Sequence, residues 1–332
     1  MRVTFLNPSD DTDAFFATMV AFMRRAADDL GIELEVLDCH RSTTTMRERA
    51  RALFGRPVAP EYLLLANEQS LVVELLPLAD ARGIKTLLFN EGLMVPDRQV
   101  LGHPGERHKS WLSELVPDDR AAGHLLAQSL IAAARRLHRG NGAVTLAGLG
   151  GTYTSSSLLR INGLRQAVTE SADVTLFEVV PANWEIDRAR RETARLLQLQ
   201  PDLHVIWAAS DLMALGAAEA LQAAGKTPGV DVVVGGVDWA PFALEKVRSG
   251  TFAASVGGHF LDGAFALVLF HDHHRGLTLP TNVKSHLALA TRENVERCER
   301  ALARRAEVDF RRFSKAETPG LASYPFSVDA VL

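Results

Sequence analysis

Short apolar runs alternate with amphipathic stretches along most of this chain. No other feature restricts the possible folds as much. RVTFLN (2–7) precedes DAFFATMVAFMRRAADDLG (13–31), and ELEVLDC (33–39) precedes a helical stretch over 43–54. YLLLAN (62–67) precedes SLVVELLPLADARG (70–83), and KTLLFN (85–90) closes the set. Gly31 and Gly83 stand where helix C-caps belong, because glycine adopts the left-handed turn that ends a helix at no steric cost. Strands that alternate with helices predict βαβ units and a parallel sheet.

A looser region over about 91–118, with prolines at 96, 104 and 117, interrupts the pattern. It then restarts with DDRAAGHLLAQSLIAAARRLH (118–138), a helix whose acidic start suits its own dipole. VTLAGL (144–149), VTLFEV (174–179), HVIWAA (204–209), VVVGGV (232–237) and FAASVG (252–257) are strand candidates, with helices between them. A last helix over about 260–275 and a strand over about 283–290 follow. The tail from about 304 to 332 shows no period, and no element is predicted there. Two α/β blocks that change near Pro117 agree with the length of 332 residues, for which two domains are the natural division.

The net charge of -4 and pI of about 6.3 argue against broad attraction to nucleic acid or an anionic membrane. No apolar run reaches the roughly 18 residues that span a bilayer, so no direct membrane insertion is expected. Cys39 and Cys298 show neither metal spacing nor a disulfide framework. No signal segment is visible before the first strand. The expectation is a periplasmic chain whose export signal has been removed; a cytoplasmic chain is the alternative.

Catalytic motifs give no positive indication. GLGGTYTSS (148–156) follows a strand but lacks the third glycine of GxGxxG and the GK[ST] of a P-loop. HDHHRG (271–276) reads as a solvated helix end rather than a metal site, since cations are favourable at a helix C-terminus. There is no GxSxG elbow, no HExxH and no Cys–His pair by motif. No cofactor, no metal and no enzymatic activity are expected.

In open parallel sheets ligands bind outside the carboxyl ends of the strands. Those ends here carry Asn7, Asn67, Asn90, Glu91, Ser210, Asp211, Asp238 and Trp239. Asn, Ser and Asp are also favoured caps and turn residues. Their recurrence across both blocks is what points to a site. VVVGGVDWAP poses the question most sharply: a buried-looking strand ends in a carboxylate beside an indole.

These segments resemble the type I periplasmic binding proteins, the ribose- and galactose-binding group of sugar ABC transporters. The resemblance covers about 1–295 and rests on NPSDDTDAFF, FNEG, WAASDLMALGAAEAL, VVVGGVDW, SGTFAASVGGHFLDGAFAL and LATRENVE. SDLMALGA followed by GVD is its most specific part. The effector domains of LacI-type repressors share it, but those carry a DNA-binding helix-turn-helix before strand one. The resemblance implies an α/β fold of two lobes, each a parallel sheet flanked by helices, joined by a three-segment hinge near 116–118, 256–260 and 289–292. One lobe would comprise 1–117 and about 259–290, the other 118–258 and about 291–303, with 304–332 an extension of unknown placement.

The same resemblance implies a set of ligand-binding residues. Phe15 and Phe16 match an aromatic pair, of which one stacks on the ligand and the other packs in the helix. Asn90 and Glu91 match a polar pair after strand four. Trp184 matches an aromatic of the second lobe, and Asp238 matches a ligand carboxylate. Trp239 either walls the cleft or braces the hinge. Ser210 falls where many members carry Asn, which leaves Asp211 as the expected cap of the next helix. His259 sits near a third polar position, and Asn7 ends the first strand. The family's usual Arg position holds Leu158, so either Arg160 substitutes from the next turn or the ligand departs from a standard aldopyranose.

The expected function is capture of a small polyhydroxylated ligand, a sugar or polyol, in an interlobe cleft, and its presentation to an ABC transporter permease. A ligand-sensing receptor for a membrane sensor kinase is the second reading, and a cytoplasmic LacI-like effector-binding protein or enzyme the third. A monomer is the family expectation.

Overall fold

The computed structural model describes residues 1–138 and 143–331. The strands are β1 (Arg2–Asn7), β2 (Glu33–Asp38), β3 (Tyr62–Ala66), β4 (Lys85–Phe89), β5 (Trp111–Pro117), β6 (Val144–Gly150), β7 (Val174–Pro181), β8 (Val205–Ala208), β9 (Val233–Asp238), β10 (Ala254–Gly257), β11 (Asn282–Ser285) and β12 (Ala288–Thr291). The helices are α1 (Ala14–Leu30), α2 (Thr43–Phe54), α3 (Val72–Ala81), α4 (Val95–Leu101), α5 (Asp119–Leu137), α6 (Ser155–Thr169), α7 (Ile186–Leu199), α8 (Asp211–Ala223), α9 (Pro241–Ser249), α10 (Asp262–His274) and α11 (Val295–Ala303).

Two compact units result. Unit one holds Met1–Pro117, His259–His286 and Ala303–Val331. Unit two holds Asp118–Gly258 and Leu287–Leu302. The sheet of unit one runs β11-β5-β4-β3-β1-β2, and all its pairs are parallel. The sheet of unit two runs β12-β10-β9-β8-β6-β7, parallel except for β10 with β12. Each order reverses once, between β1 and β3 and between β6 and β8, which puts the crevice of each unit at the carboxyl ends of those strands.

The local signals produce the expected elements. Asp13 caps α1 by accepting from the backbone of Phe15 and Phe16, and Gly31 ends it at φ 64°. The central strands are buried on both faces, as parallel strands covered by helices must be. Residues Gly263 through Phe270 of α10 are all buried, which is why that helix is apolar around its whole circumference.

Three regions differ from expectation. The looser stretch contains α4 and β5. Strand β5 has no apolar period because Ser113 and Glu114 sit buried in it. Ser113 donates to the carbonyl of Pro280 at 2.7 Å, and Glu114 takes both arms of Arg98 at 2.6 and 2.7 Å. The strand placed over about 283–290 is two strands. β11 joins unit one and β12 pairs antiparallel with β10, so the chain leaves unit one after His286 rather than near 289–292.

The tail is the third difference. It returns to unit one after Leu302, a fourth passage where three were expected, although its last residue, Leu332, lies outside the described residues. Phe310, Phe313 and Phe326 are buried in it, and Phe326 stacks on Phe265 of α10 at 4.4 Å. The HDHHRG helix end is therefore covered in part: His274, Arg275 and Gly276 stay exposed, while Asp272 does not. Asp272 is fully buried and accepts from the hydroxyls of Ser314 and Tyr324 and from the backbone of Lys315. His271 meets Glu317 and His273 meets Tyr62. The tail lacked a period because its anchors are irregularly spaced aromatics on short 3-10 turns. Tyr324→Phe removes one hydrogen bond to the buried Asp272 carboxylate. It is expected to cost about 1.5 kcal/mol and to lower Tm by about 3–6 °C in calorimetry.

Candidate binding site

The site residues of unit two are positioned by a close helix pair. Gly123 of α5 and Gly163 of α6 face the partner helix so tightly that a Cβ would lie 2.0 Å from the Arg160 carbonyl oxygen and 2.1 Å from that of Arg120. This approach brings Arg160 to the start of α5. Its Nε donates to Asp119 Oδ1 at 2.7 Å and its Nη1 to the carbonyl of Ala209, just beyond β8, at 2.7 Å. The side chains of Arg160 and Asp119 are only 6% and 3% exposed. Nη1 also lies 3.6 Å from Asp238 Oδ1.

Asp238 ends β9 in an unusual backbone, with φ 137°, and Trp239 follows at φ 56°. Left-handed conformations at two adjacent non-glycine residues are costly and persist only where the surroundings over-determine them. Here they are held by Asp211. That carboxylate is fully buried, accepts from the Ser255 hydroxyl at 2.9 and 3.0 Å, and accepts from the Ala240 backbone at 3.0 Å. Burial pushes the Asp211 carboxyl well above the usual range, and the nearby Asp238 charge adds to the effect. Trp239 turns inward, is 1% exposed, and donates from Nε1 to the Ser255 carbonyl at 3.0 Å. It braces the turn and leaves Asp238 with a side chain 19% exposed at the strand end.

Trp184 also sits in left-handed backbone, φ 64°, in the loop after β7. Its Nε1 donates to the Thr152 hydroxyl at 2.9 Å, and its ring lies over Gly151, where a Cβ would meet the indole at 2.0 Å. Arg160 stands 5.9 Å from the indole centroid. Arg160, Asp238 and Trp184 therefore gather around the crevice of unit two. Ser210 adjoins them but serves the helix: its hydroxyl accepts from Met213 N, so Ser210 and not Asp211 caps α8. Ser210 takes the cap because it keeps the extended backbone of one, while Asp211 lies inside the helix with its side chain toward Ser255.

In unit one the aromatic pair divides. Phe16 is 3% exposed, while Phe15 is half-buried and lies 4.6 Å from the ring of His259, itself 2% exposed. Asn7 is 1% exposed, and its amide ties β1 to β2 by donating to Asp38 at 2.7 Å and accepting from Ser9 N. Asn90, half-buried at φ 64°, and the half-buried Glu91 follow β4. Arg41 was not singled out from the sequence. It follows β2, pairs with Asp13, and sets its guanidinium 5.2 Å from the Phe16 centroid. An HR dipeptide in a loop gives no sequence signal of that placement. Among the described residues there is no cluster of three or more potential metal ligands, and no helix is long and apolar enough to cross a membrane.

Comparison with known proteins agrees with this architecture. A family model described as the periplasmic binding protein domain matches residues 3–262. The chain belongs to the periplasmic binding protein family. The ribose import binding protein of Salmonella typhimurium is 28% identical over 245 residues, 73% of this chain and 74% of the relative. A solved periplasmic sugar-binding protein from Pseudomonas fluorescens superposes with a TM-score of 0.87 at 31% identity, covering 99% of both chains. A periplasmic solute-binding protein from Actinobacillus succinogenes with bound D-allose shares the fold, with a TM-score of 0.78 at 20% identity over 89% of this chain and 99% of the other. These periplasmic binding proteins are solute-binding proteins and not enzymes.

Proposed function

We propose that this protein captures a small, polyhydroxylated solute, a sugar or sugar-like molecule, and presents it to the permease of an ABC transporter in the periplasm. The observation that carries this reading is Asp238. It is a carboxylate at a strand end, held in costly backbone by a buried scaffold and set 3.6 Å from a buried guanidinium, which in turn stands 5.9 Å from the centre of a half-buried indole. Sugar recognition needs that combination. Carboxylates accept paired hydrogen bonds from neighbouring hydroxyls, and aromatic rings cover the C–H faces of the ring. Each polar group left unmatched in a closed site costs on the order of 1–3 kcal/mol, which selects among stereoisomers. Ribose and allose, named for the relatives, are the first candidates.

The test is a thermal-shift and calorimetric titration with D-ribose, D-allose, xylitol and myo-inositol. A ligand present at 100-fold over its Kd adds about 2.7 kcal/mol to native stability and raises Tm visibly. Absence of any shift across sugars, polyols and cyclitols would overturn the reading. Delivery is tested separately, by stimulation of the ATPase of the cognate permease in the presence of ligand.

A further inference from the structure

Glu68 lies just beyond the carboxyl end of β3, one of the two strands that flank the crevice of unit one. Its side chain is half-buried. Other buried or half-buried carboxylates of the same unit are satisfied within the protein: Glu35 by Arg56, Glu74 by Arg47 and Arg51, Asp97 by Asn67 and Ser70, and Glu114 by Arg98. No hydrogen bond from a described residue reaches the Glu68 carboxyl; its charged neighbours are Arg41 and Asp13. The carboxyl keeps part of its access to water and no donor within the described protein competes for it, so its acceptor capacity is open to a ligand at the strand end.

The surroundings of Glu68 are built rather than loose. Gln69 and Ser70 follow in left-handed backbone at φ 48° and 63°, and His40 and Arg41 do the same at φ 51° and 56°. The loop of His40 and Arg41 is stapled to the loop after β1: the backbone N–H of His40 donates to Ser9 O and that of Arg41 to Pro8 O. Arg41 is held by Asp13, which also caps α1 at Phe15 and Phe16. Backbone strain gathered at a strand-order reversal marks a functional site more often than a structural one. Burial raises the Glu68 carboxyl above its usual range, Arg41 opposes that, and Asp13 reinforces it. A ligand hydroxyl that donates to Glu68 replaces the water that a half-buried carboxyl still holds. An anionic ligand group would instead meet Glu68 and Asp13 together.

We propose that Glu68 is a specificity-determining ligand contact of unit one, accepting from hydroxyl groups of an uncharged solute. This rests on the sugar-binding reading and adds a residue and a ligand charge to it.

The experiment is calorimetric titration of wild type, Glu68→Gln, Glu68→Ala and Glu74→Gln with D-ribose, D-allose, xylitol and myo-inositol. Whichever of these binds wild type is expected to bind Glu68→Gln about 10-fold and Glu68→Ala about 100-fold more weakly, as loss of hydrogen bonds to a charged acceptor requires. The Tm of both ligand-free Glu68 variants is expected to stay at or above that of wild type, since the carboxyl holds nothing inside the protein. Glu74→Gln, which breaks the pairs with Arg47 and Arg51, is expected to leave affinity unchanged. Wild-type affinity in both Glu68 variants, or a lowered Tm in the free protein with unchanged affinity, overturns this proposal and leaves the sugar-binding reading standing. If wild type binds none of the four, both readings fall together.

Discussion

Asp238→Ala is expected to abolish ligand binding while leaving the free protein nearly as stable as wild type. A carboxylate that accepts two ligand hydroxyls contributes about 1.5–3 kcal/mol per hydrogen bond, so affinity falls by two orders of magnitude or more. The small change in stability follows from two opposing effects. Arg160 loses a neighbour at 3.6 Å but keeps Asp119 and the Ala209 carbonyl. Asp211, meanwhile, loses a like charge that disfavours its ionised form. The turn itself is held by Ser255, Trp239 and Asp211, none of which bonds through the Asp238 side chain. Titration by calorimetry and a melting curve of the ligand-free protein check both halves. A Tm loss of more than about 5 °C would assign Asp238 to the structure rather than to the ligand.

Arg160→Ala is expected to do the reverse and damage the fold first. Arg160 and Asp119 are both almost fully buried, and removing one member of such a pair strands the other charge, at a cost of about 3–5 kcal/mol. For a unit of this size that corresponds to a Tm loss of about 6–20 °C. Arg160→Lys is not a rescue, because an ammonium cannot reach Asp119, the Ala209 carbonyl and Asp238 from one planar fork. Replacing both partners, Arg160→Met with Asp119→Leu, recovers most of the loss if desolvated charge is the cause. A single variant that melts within about 2 °C of wild type would show that the pair is not a structural keystone.

The two variants separate roles that the sequence presents as equivalent. Both residues stood as ligand contacts, one by direct match and the other as a substitute for an absent arginine. Two hydrogen bonds and an ion-pair contact within the protein tie Arg160 down, so it positions Asp238 and Trp184 as well as standing at the strand ends itself. Trp239 shows the same division from Trp184. Both are indoles in left-handed backbone, yet one is sealed against Ser255 and the other is half-buried over Gly151.

The sequence by itself determined the architecture. Element type follows from periodicity within a window of a dozen residues, and the ends follow from caps such as Asp13 and Gly31, so β1 to β4 and their helices were legible locally. The polar strand ends were legible too, because the sheet geometry dictates where a ligand can sit. What only the tertiary structure decided lies wherever a polar residue is satisfied by a distant partner. Strand β5 was hidden because Ser113 answers to Pro280, 167 residues away. The tail was hidden because its order depends on Phe265 and Asp272 of another element. Which of Ser210 and Asp211 caps a helix was hidden because Asp211 finds Ser255, 44 residues on. Glu68 and Arg41 were hidden for the converse reason. Their significance lies in which charged groups at the strand ends have partners within the fold and which do not, and a chain without its folded neighbours carries no record of that.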